Sequence, residues 1–86
     1  MIEVCYVKTF PDFILNLHFN TGEERMFDMK PYLNYTVFKR LSNAAFFALA
    51  RVDYGTVTWP GEIDIAPETL YGSSVPLACK PNGVTL

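Results

Sequence analysis

The stretch "FILNLHFNTGEERMFD", Phe13 to Asp28, has the clearest strand pattern in this chain. Its apolar side chains recur at every second position, at Phe13, Leu15, Leu17 and Phe19. Because successive side chains of a strand point to opposite faces of a sheet, these four are predicted to share the core face. The residues between them are predicted to face the other way; they are Ile14, Asn16 and His18.

The turn after this strand is predicted in "NTGE", Asn20 to Glu23, because Gly22 adopts a positive φ without steric cost. Glu24 to Asp28 then returns as an antiparallel strand. Two registers remain open. A two-residue loop would pair Leu17 with Met26, and a three-residue loop would pair Leu17 with Arg25. The choice matters because a slip of one residue exchanges the two faces of a strand.

Another strand is predicted before this hairpin, from Ile2 to Thr9. The alternation places Ile2, Val4 and Tyr6 on one face, and Glu3, Cys5 and Val7 on the other. Together with the hairpin it would form a three-stranded meander.

A short helix is predicted after Pro31, in "YTVFKRLSN", with Thr36 as its N-cap and Asn43 as its stop. Phe46-Phe47 could end a helical turn, and Ala48 to Asp53 is predicted to be a strand. Tyr54-Gly55 is a turn signal before a returning strand, Thr56 to Trp59.

A one-turn helix is predicted in "APETLYG", with Pro67 at its first position and Gly72 just beyond its end. The predicted fold class is therefore α+β: a small antiparallel sheet, made of the meander and a hairpin, with the two short helices packed on one face. Residues 1–72 are expected to form a single domain, and residues 73–86 an extended C-terminal tail.

Charge and composition argue against several classes of function. The 86 residues carry a net charge of −2, and the seven basic residues form no stripe, so direct nucleic-acid binding is not expected. The longest apolar run, Ala44 to Ala50, is far shorter than the ~20 residues that cross a bilayer. The N-terminus lacks the pattern of a signal peptide. We expect a cytoplasmic protein in which Cys5 and Cys79 are reduced.

The chemically active residue types do not form a recognisable catalytic or metal-binding motif. His18 is the single histidine, and nothing in the sequence gives it a partner, which a general base requires. Glu62, Asp64 and Glu68 are too few for a hard cation that needs about six oxygen ligands. We therefore expect no enzyme activity, no cofactor and no metal.

Three residues near the end of the predicted domain are the candidates for an interface or a pocket. Trp59 is expected to anchor the core or its rim, because it shares a face with Val57. Asp64 is expected to hold a turn or to cap the helix that starts near Pro67. Tyr71 is expected to pack back from that helix. Alternatively, Trp59 would form the wall of a pocket, with Asp64 and Tyr71 as its polar contacts.

Three segments resemble a bacterial family, domain of unknown function 2442 (DUF2442). They are "LNLHFNTGEERMFDMKPYL" from Leu15, "VFKRLSNAAFFALARVD" from Val37 and "VDYGTVTWPGEIDIAPETLY" from Val52. The resemblance runs from about Val4 to Tyr71. The family pattern falls on Phe19, Gly22, Asp28, Phe38, Leu41, Phe46, Val52, Asp53, Trp59, Pro60, Asp64, Pro67, Leu70 and Tyr71. One departure is visible: relatives often read Trp-Pro-Asn-Gly-Ala-Asp, whereas this chain reads Trp-Pro-Gly-Glu-Ile-Asp.

The resemblance implies a small α+β protein of a family without an established activity. Some members are fused to a helix-turn-helix domain, for which this chain has no room after Tyr71. Many are encoded beside another small protein, in an arrangement like that of a toxin and its antitoxin. We therefore expect a non-enzymatic protein-interaction module, antitoxin-like, that binds a small protein partner or associates with itself as a homodimer. The alternative is a small ligand-binding protein or enzyme that uses the pocket beside Trp59.

Overall fold

The computed structural model describes residues 1–77, which form two antiparallel sheets with short helices. Strands β1, β2 and β3 span Val4–Phe10, Ile14–Phe19 and Glu24–Asp28, and 3-10 helices follow at Lys30–Tyr32 and Thr36–Ser42. Helix α1 (Ala44–Phe47) precedes strands β4 (Arg51–Asp53), β5 (Thr56–Trp59) and β6 (Ile63–Ile65). Helix α2 (Pro67–Ser73) and strand β7 (Val75–Pro76) end the described chain. The predicted α+β class is confirmed.

The two sheets have simple topologies. The first has the strand order β1-β2-β3-β7 and the second the order β4-β5-β6, and every neighbouring pair is antiparallel. The predicted meander and hairpin are therefore both present, and each has gained a strand at one edge. The added strands are short, and neither β6 nor β7 was predicted.

The register of the β2–β3 hairpin is the one expected for the longer loop, because Leu17 pairs with Arg25. This register places Arg25 and Phe27 on the same face of the sheet as Leu15 and Leu17. Phe27, Leu15 and Leu17 are fully buried. We call this face the inner face. Arg25 is thus a charged residue on a side of the sheet that is otherwise apolar.

The predicted faces of β1 are exchanged after Val4, at both Tyr6 and Val7, because Val7 pairs with Leu17 and packs against the core. Val4 and Tyr6 were expected to lie side by side, but Val4 is 2% exposed and Tyr6 is 53% exposed. The pairing of β1 with β2 is irregular between these two residues. A β-bulge adds one residue to one strand, so the side chains on its two sides fall on opposite faces. Val4 therefore belongs to the core, and Tyr6 to the other side of the sheet.

The helix signals were correct in part. Thr36 is not an N-cap, because it is the first residue of the 3-10 helix and Tyr35 precedes it without a side-chain hydrogen bond. Asn43 does follow the end of that helix, and it also starts the next one. Its Oδ1 accepts hydrogen bonds from the backbone N–H groups of Ala45 and Phe46, at 2.9 and 3.2 Å. A short amide side chain can satisfy these N–H groups, which have no partner within the helix.

Two predicted boundaries moved. The strand predicted from Ala48 begins only at Arg51, because the N–H of Ala48 and the N–H of Ala50 bond to helix carbonyls instead. Helix α2 has seven residues rather than one turn, and Gly72 lies inside it. The first part of the predicted tail pairs with β3 as strand β7. The remaining tail, with Cys79, lies outside the described residues.

The core lies between the inner face of the first sheet, the second sheet and the helices. Its buried apolar side chains come from all of these elements; they include Leu17, Phe27, Leu41, Phe47, Val57, Trp59 and Leu70. The opposite side of the first sheet, which we call the outer face, carries several exposed apolar side chains. These are Tyr6, Phe10, Val75 and Leu77, which are 38–61% exposed.

Candidate functional site

Trp59 is a core residue. It lies on β5, is 2% exposed and packs against the Phe47 ring, with ring centroids 6.1 Å apart. Its indole Nε1 donates a hydrogen bond of 2.9 Å to the carbonyl oxygen of Phe47. The indole is thereby fixed by both packing and a buried hydrogen bond, as a tryptophan inside a protein requires.

Asp64 does not have the predicted role of turn or cap residue. It lies in the middle of β6, opposite Thr58, and its side chain is exposed. Helix α2 begins after Ala66 without any side-chain cap. The reason is the strand itself: Ile63 and Ile65 are buried, so the residue between them must point away from the core.

Tyr71 belongs to a polar cluster on the inner face of the first sheet. Its hydroxyl donates a hydrogen bond of 2.6 Å to the Glu23 carboxylate. The Arg25 guanidinium carbon lies 4.4 Å from the centre of the Tyr71 ring. Arg25 also donates to the Ser74 hydroxyl at 2.7 Å and to the Ser74 carbonyl oxygen at 2.9 Å. We call Glu23, Arg25, Tyr71 and Ser74 the Arg25 cluster.

The Arg25 cluster changes the proton affinities of its members. The hydrogen bond from Tyr71 lowers the pKa of the Glu23 carboxyl, and the nearby Arg25 guanidinium lowers it further. The same hydrogen bond to Glu23 raises the pKa of the Tyr71 hydroxyl. The Arg25 side chain is only 12% exposed. These contacts link helix α2 and Ser74 to strand β3, so the cluster holds the C-terminal part of the described chain on the sheet.

The three candidate residues are therefore not in one place. Trp59 and Asp64 line a depression of about 450 Å³ on the second sheet, and Tyr71 is not among the residues that line it. The charged residues of this depression have both signs; they are Arg51, Asp53, Glu62 and Asp64. Within residues 1–77, no three side chains of His, Cys, Asp or Glu are grouped as metal ligands.

A second depression, of about 400 Å³, lies on the outer face of the first sheet. Its centre is polar. Asn16 is 6% exposed, and its Nδ2 donates to Glu24 Oε2 at 2.9 Å and lies 3.1 Å from the Met26 sulfur. The amide Oδ1 of Asn16 lies 3.1 Å from His18 Nε2. A buried amide whose donor and acceptor sides are both occupied holds its neighbours in fixed positions.

The rim of this depression is largely apolar and exposed. Tyr6 stands edge-on to the His18 ring, with centroids 5.3 Å apart, and Phe10 carries the Lys8 ammonium 5.3 Å from its ring centre. Leu77 lies on the far side. The sequence indicated that Asn16 and His18 share a face, but it did not place Tyr6 or Glu24 beside them. The position of Tyr6 depends on the bulge in β1, and that of Glu24 depends on the hairpin register, and the sequence determined neither.

The turn between β5 and β6 contains the two positions at which this chain departs from the pattern that the family resemblance implies. Gly61 and Glu62 both have positive φ, at 88° and 64°. Asparagine and glycine adopt this left-handed conformation most readily, whereas other residues are strained in it. The Asn-Gly pair that the family resemblance implies would suit both positions, whereas this chain has glycine at the first and glutamate at the second.

Replacing Glu62 by glycine is therefore expected to raise the free energy of unfolding by up to about 1 kcal/mol, because it removes the strain of a side chain at positive φ. Urea denaturation would measure the change. Glu62→Ala is the matched control: it removes the same carboxylate but keeps Cβ, so its stability should stay near that of the wild type. Equal stabilisation by both variants would assign the effect to charge instead.

The fold and these two depressions define a small two-sheet α+β protein with an open sheet face. The chain belongs to the family described as Protein of unknown function (DUF2442), whose model matches residues 4–76 of the 86. No curated protein matches this chain, and no solved structure does. None of the helices within residues 1–77 combines the length and the apolar character that a membrane span requires.

Proposed function

We propose that this protein is a non-enzymatic protein-interaction module and that the outer face of its first sheet is the binding surface. The observation that carries the proposal is the set of exposed apolar side chains there: Tyr6 at 53%, Val75 at 61% and Leu77 at 51%. Grouped apolar side chains on a small protein are typical of surfaces that bind another protein. Aromatic side chains such as Tyr6 are also enriched in interfaces.

The partner in this proposal is a small protein. The family resemblance implies that the two proteins pair as an antitoxin and its toxin do. The net charge of −2 favours a partner with a basic surface. A bacterial source and a cytoplasmic location belong to the same proposal. The same proposal includes a second possible partner, another copy of this chain bound through the outer face as a homodimer. Light scattering on the purified protein distinguishes a homodimer from a monomer that binds a different protein. Direct binding to nucleic acid or to a membrane forms no part of it.

The depression beside Trp59 and Asp64 gives less support to a ligand-binding or enzymatic function. Trp59 is held by core contacts and by its hydrogen bond to Phe47, so its indole is not available to a ligand. Tyr71, the other expected polar contact, takes part in the Arg25 cluster. A pocket formed by all three residues would need both side chains to leave those contacts.

The test is a pull-down from the native host with mass spectrometry, comparing the wild type with the double variant Tyr6→Ser/Val75→Ser. The variant removes two exposed apolar side chains of the outer face. We expect the main captured protein to fall by at least about tenfold, because two interface anchors each contribute on the order of 1 kcal/mol.

Val37→Ser/Tyr54→Ser is the matched control, because Val37 is 56% exposed and Tyr54 97% exposed, and both lie away from the outer face. This control should capture the partner as the wild type does. Circular dichroism of all three proteins would show that each is folded. A partner that both double variants retain would rule out the outer face as the binding surface.

A further inference from the structure

We propose that the depression on the outer face receives an arginine side chain of the partner protein, with its guanidinium against the Glu24 carboxylate and the Tyr6 ring. This inference rests on the proposed function and names the chemistry that the outer face would recognise. Three observations support it: an anchored carboxylate, an exposed aromatic ring on the opposite side of His18, and an arginine elsewhere in the chain that contacts the same two kinds of group.

The carboxylate of Glu24 is held in place from below. The amide of Asn16, which is 6% exposed, donates to Glu24 Oε2 at 2.9 Å. Among residues 1–77, the basic group within 4 Å of this carboxylate is the His18 ring, at 3.5 Å. Lys8 lies on the same face, but its ammonium is directed to the Phe10 ring, 5.3 Å from its centre. The Glu24 side chain is 39% exposed, so its charge is oriented and open to a partner.

The aromatic ring of Tyr6 lies on the opposite side of His18 from this carboxylate, because His18 pairs with Tyr6 on β1 and with Glu24 on β3. His18 contacts both, because its ring stands edge-on to Tyr6 and its Nε2 faces Glu24. All three residues line the same depression. Tyr6 is 53% exposed, which leaves part of its ring available to a ligand. A carboxylate and an aromatic ring that line one depression suit a cation that can use both at once.

The other face of strand β3 shows what such a pair binds. There the Arg25 guanidinium packs 4.4 Å from the Tyr71 ring centre and donates to Glu23 at 3.1 Å. On the outer face Glu24 and Tyr6 present the same two chemical groups, with the His18 ring between them and, in the described part of the chain, no guanidinium against either. Arginine suits the place better than lysine, because a planar guanidinium stacks on a ring and still offers paired donors to a carboxylate.

The proposal is tested by NMR titration of the purified protein with N-acetyl-arginine amide. N-acetyl-citrulline amide is the control probe, since citrulline has nearly the same shape and no charge. We expect saturable shifts of the Tyr6, His18 and Glu24 signals with the arginine probe and much smaller ones with citrulline. Glu24→Gln keeps an acceptor for Asn16 and should weaken arginine binding at least about threefold.

Glu62→Gln removes a carboxylate from the second sheet and should leave arginine binding unchanged. Equal shifts with both probes, undiminished binding by Glu24→Gln, or no shifts at these three residues would each overturn the inference. If Glu24→Gln does not fold, the comparison of the two probes on the wild type decides alone. The two proposals can also fail separately. If Tyr6→Ser/Val75→Ser no longer captured the partner but the arginine probe shifted no signals, the outer face would remain the binding surface and the arginine contact would be wrong.

Discussion

Replacing Trp59 by alanine is expected to lower the free energy of unfolding by about 3–5 kcal/mol. The indole is 2% exposed, and its removal leaves a cavity next to Phe47. It also leaves the Phe47 carbonyl oxygen without the indole donor. Small domains are stable by only about 5–15 kcal/mol in total, so this one substitution removes a large share of the stability. Thermal and urea denaturation followed by circular dichroism would measure it.

Trp59→Phe separates the two contributions. Phenylalanine fills part of the space but cannot donate to Phe47, so we expect a smaller loss, of about 1–3 kcal/mol. Tyr54→Ala is the control on the surface, because Tyr54 is 97% exposed and its loss should change stability by less than about 0.5 kcal/mol. A Trp59→Ala protein as stable as the wild type would contradict the position of the indole in the core.

Arg25→Met is expected to be the second most damaging change, at about 2 kcal/mol. Methionine keeps an unbranched apolar stem but ends near the position of the arginine Nε. It therefore loses the guanidinium packed on the Tyr71 ring, the hydrogen bonds to Ser74 and the charge beside Glu23. Hydrogen bonds from a charged donor that is 12% exposed are worth more than those at the surface. Because Arg25 joins β3 to Ser74, hydrogen exchange should speed up first in α2 and β7.

Arg51→Met is the matched control for this change. Arg51 lies on β4 and is exposed, so the same substitution there removes the same charge without breaking the Arg25 cluster. We expect an effect of less than about 0.5 kcal/mol. If both variants lost the same stability, the net charge and not the cluster would be responsible. If Arg25→Met left the exchange rates of α2 unchanged, the linking role of the cluster would be wrong.

The open outer face distinguishes this domain from a sheet that is covered on both sides. An antiparallel sheet can have one face exposed to water. Along each strand of such a sheet, apolar residues that face the core alternate with polar residues that face the water. Here the polar residues Asn16, His18 and Glu24 form the centre, and apolar ones surround them. In the function that we propose, the polar centre orients the partner and the apolar rim provides contact area.

The amino-acid sequence alone was sufficient for several local elements of this protein. The alternation through Leu15, Leu17 and Phe19 predicted strand β2 and its buried face, and Pro67 marked the start of α2. Val57 and Trp59 were correctly placed on one buried face of β5. These features depend on the conformational preferences of neighbouring residues, which a sequence displays directly.

The tertiary structure determined which side chains from different strands are neighbours. The bulge in β1 sent Tyr6 to the outer face, and the hairpin register sent Arg25 to the inner one. Asp64 is a strand residue because β6 pairs with β5. A shift of one residue reverses a face at almost no local cost, so the choice is made by the packing of the whole core. For that reason strands β1, β2, β3 and β5 could be predicted from the sequence, whereas β6, β7, the outer-face depression and the Arg25 cluster could not.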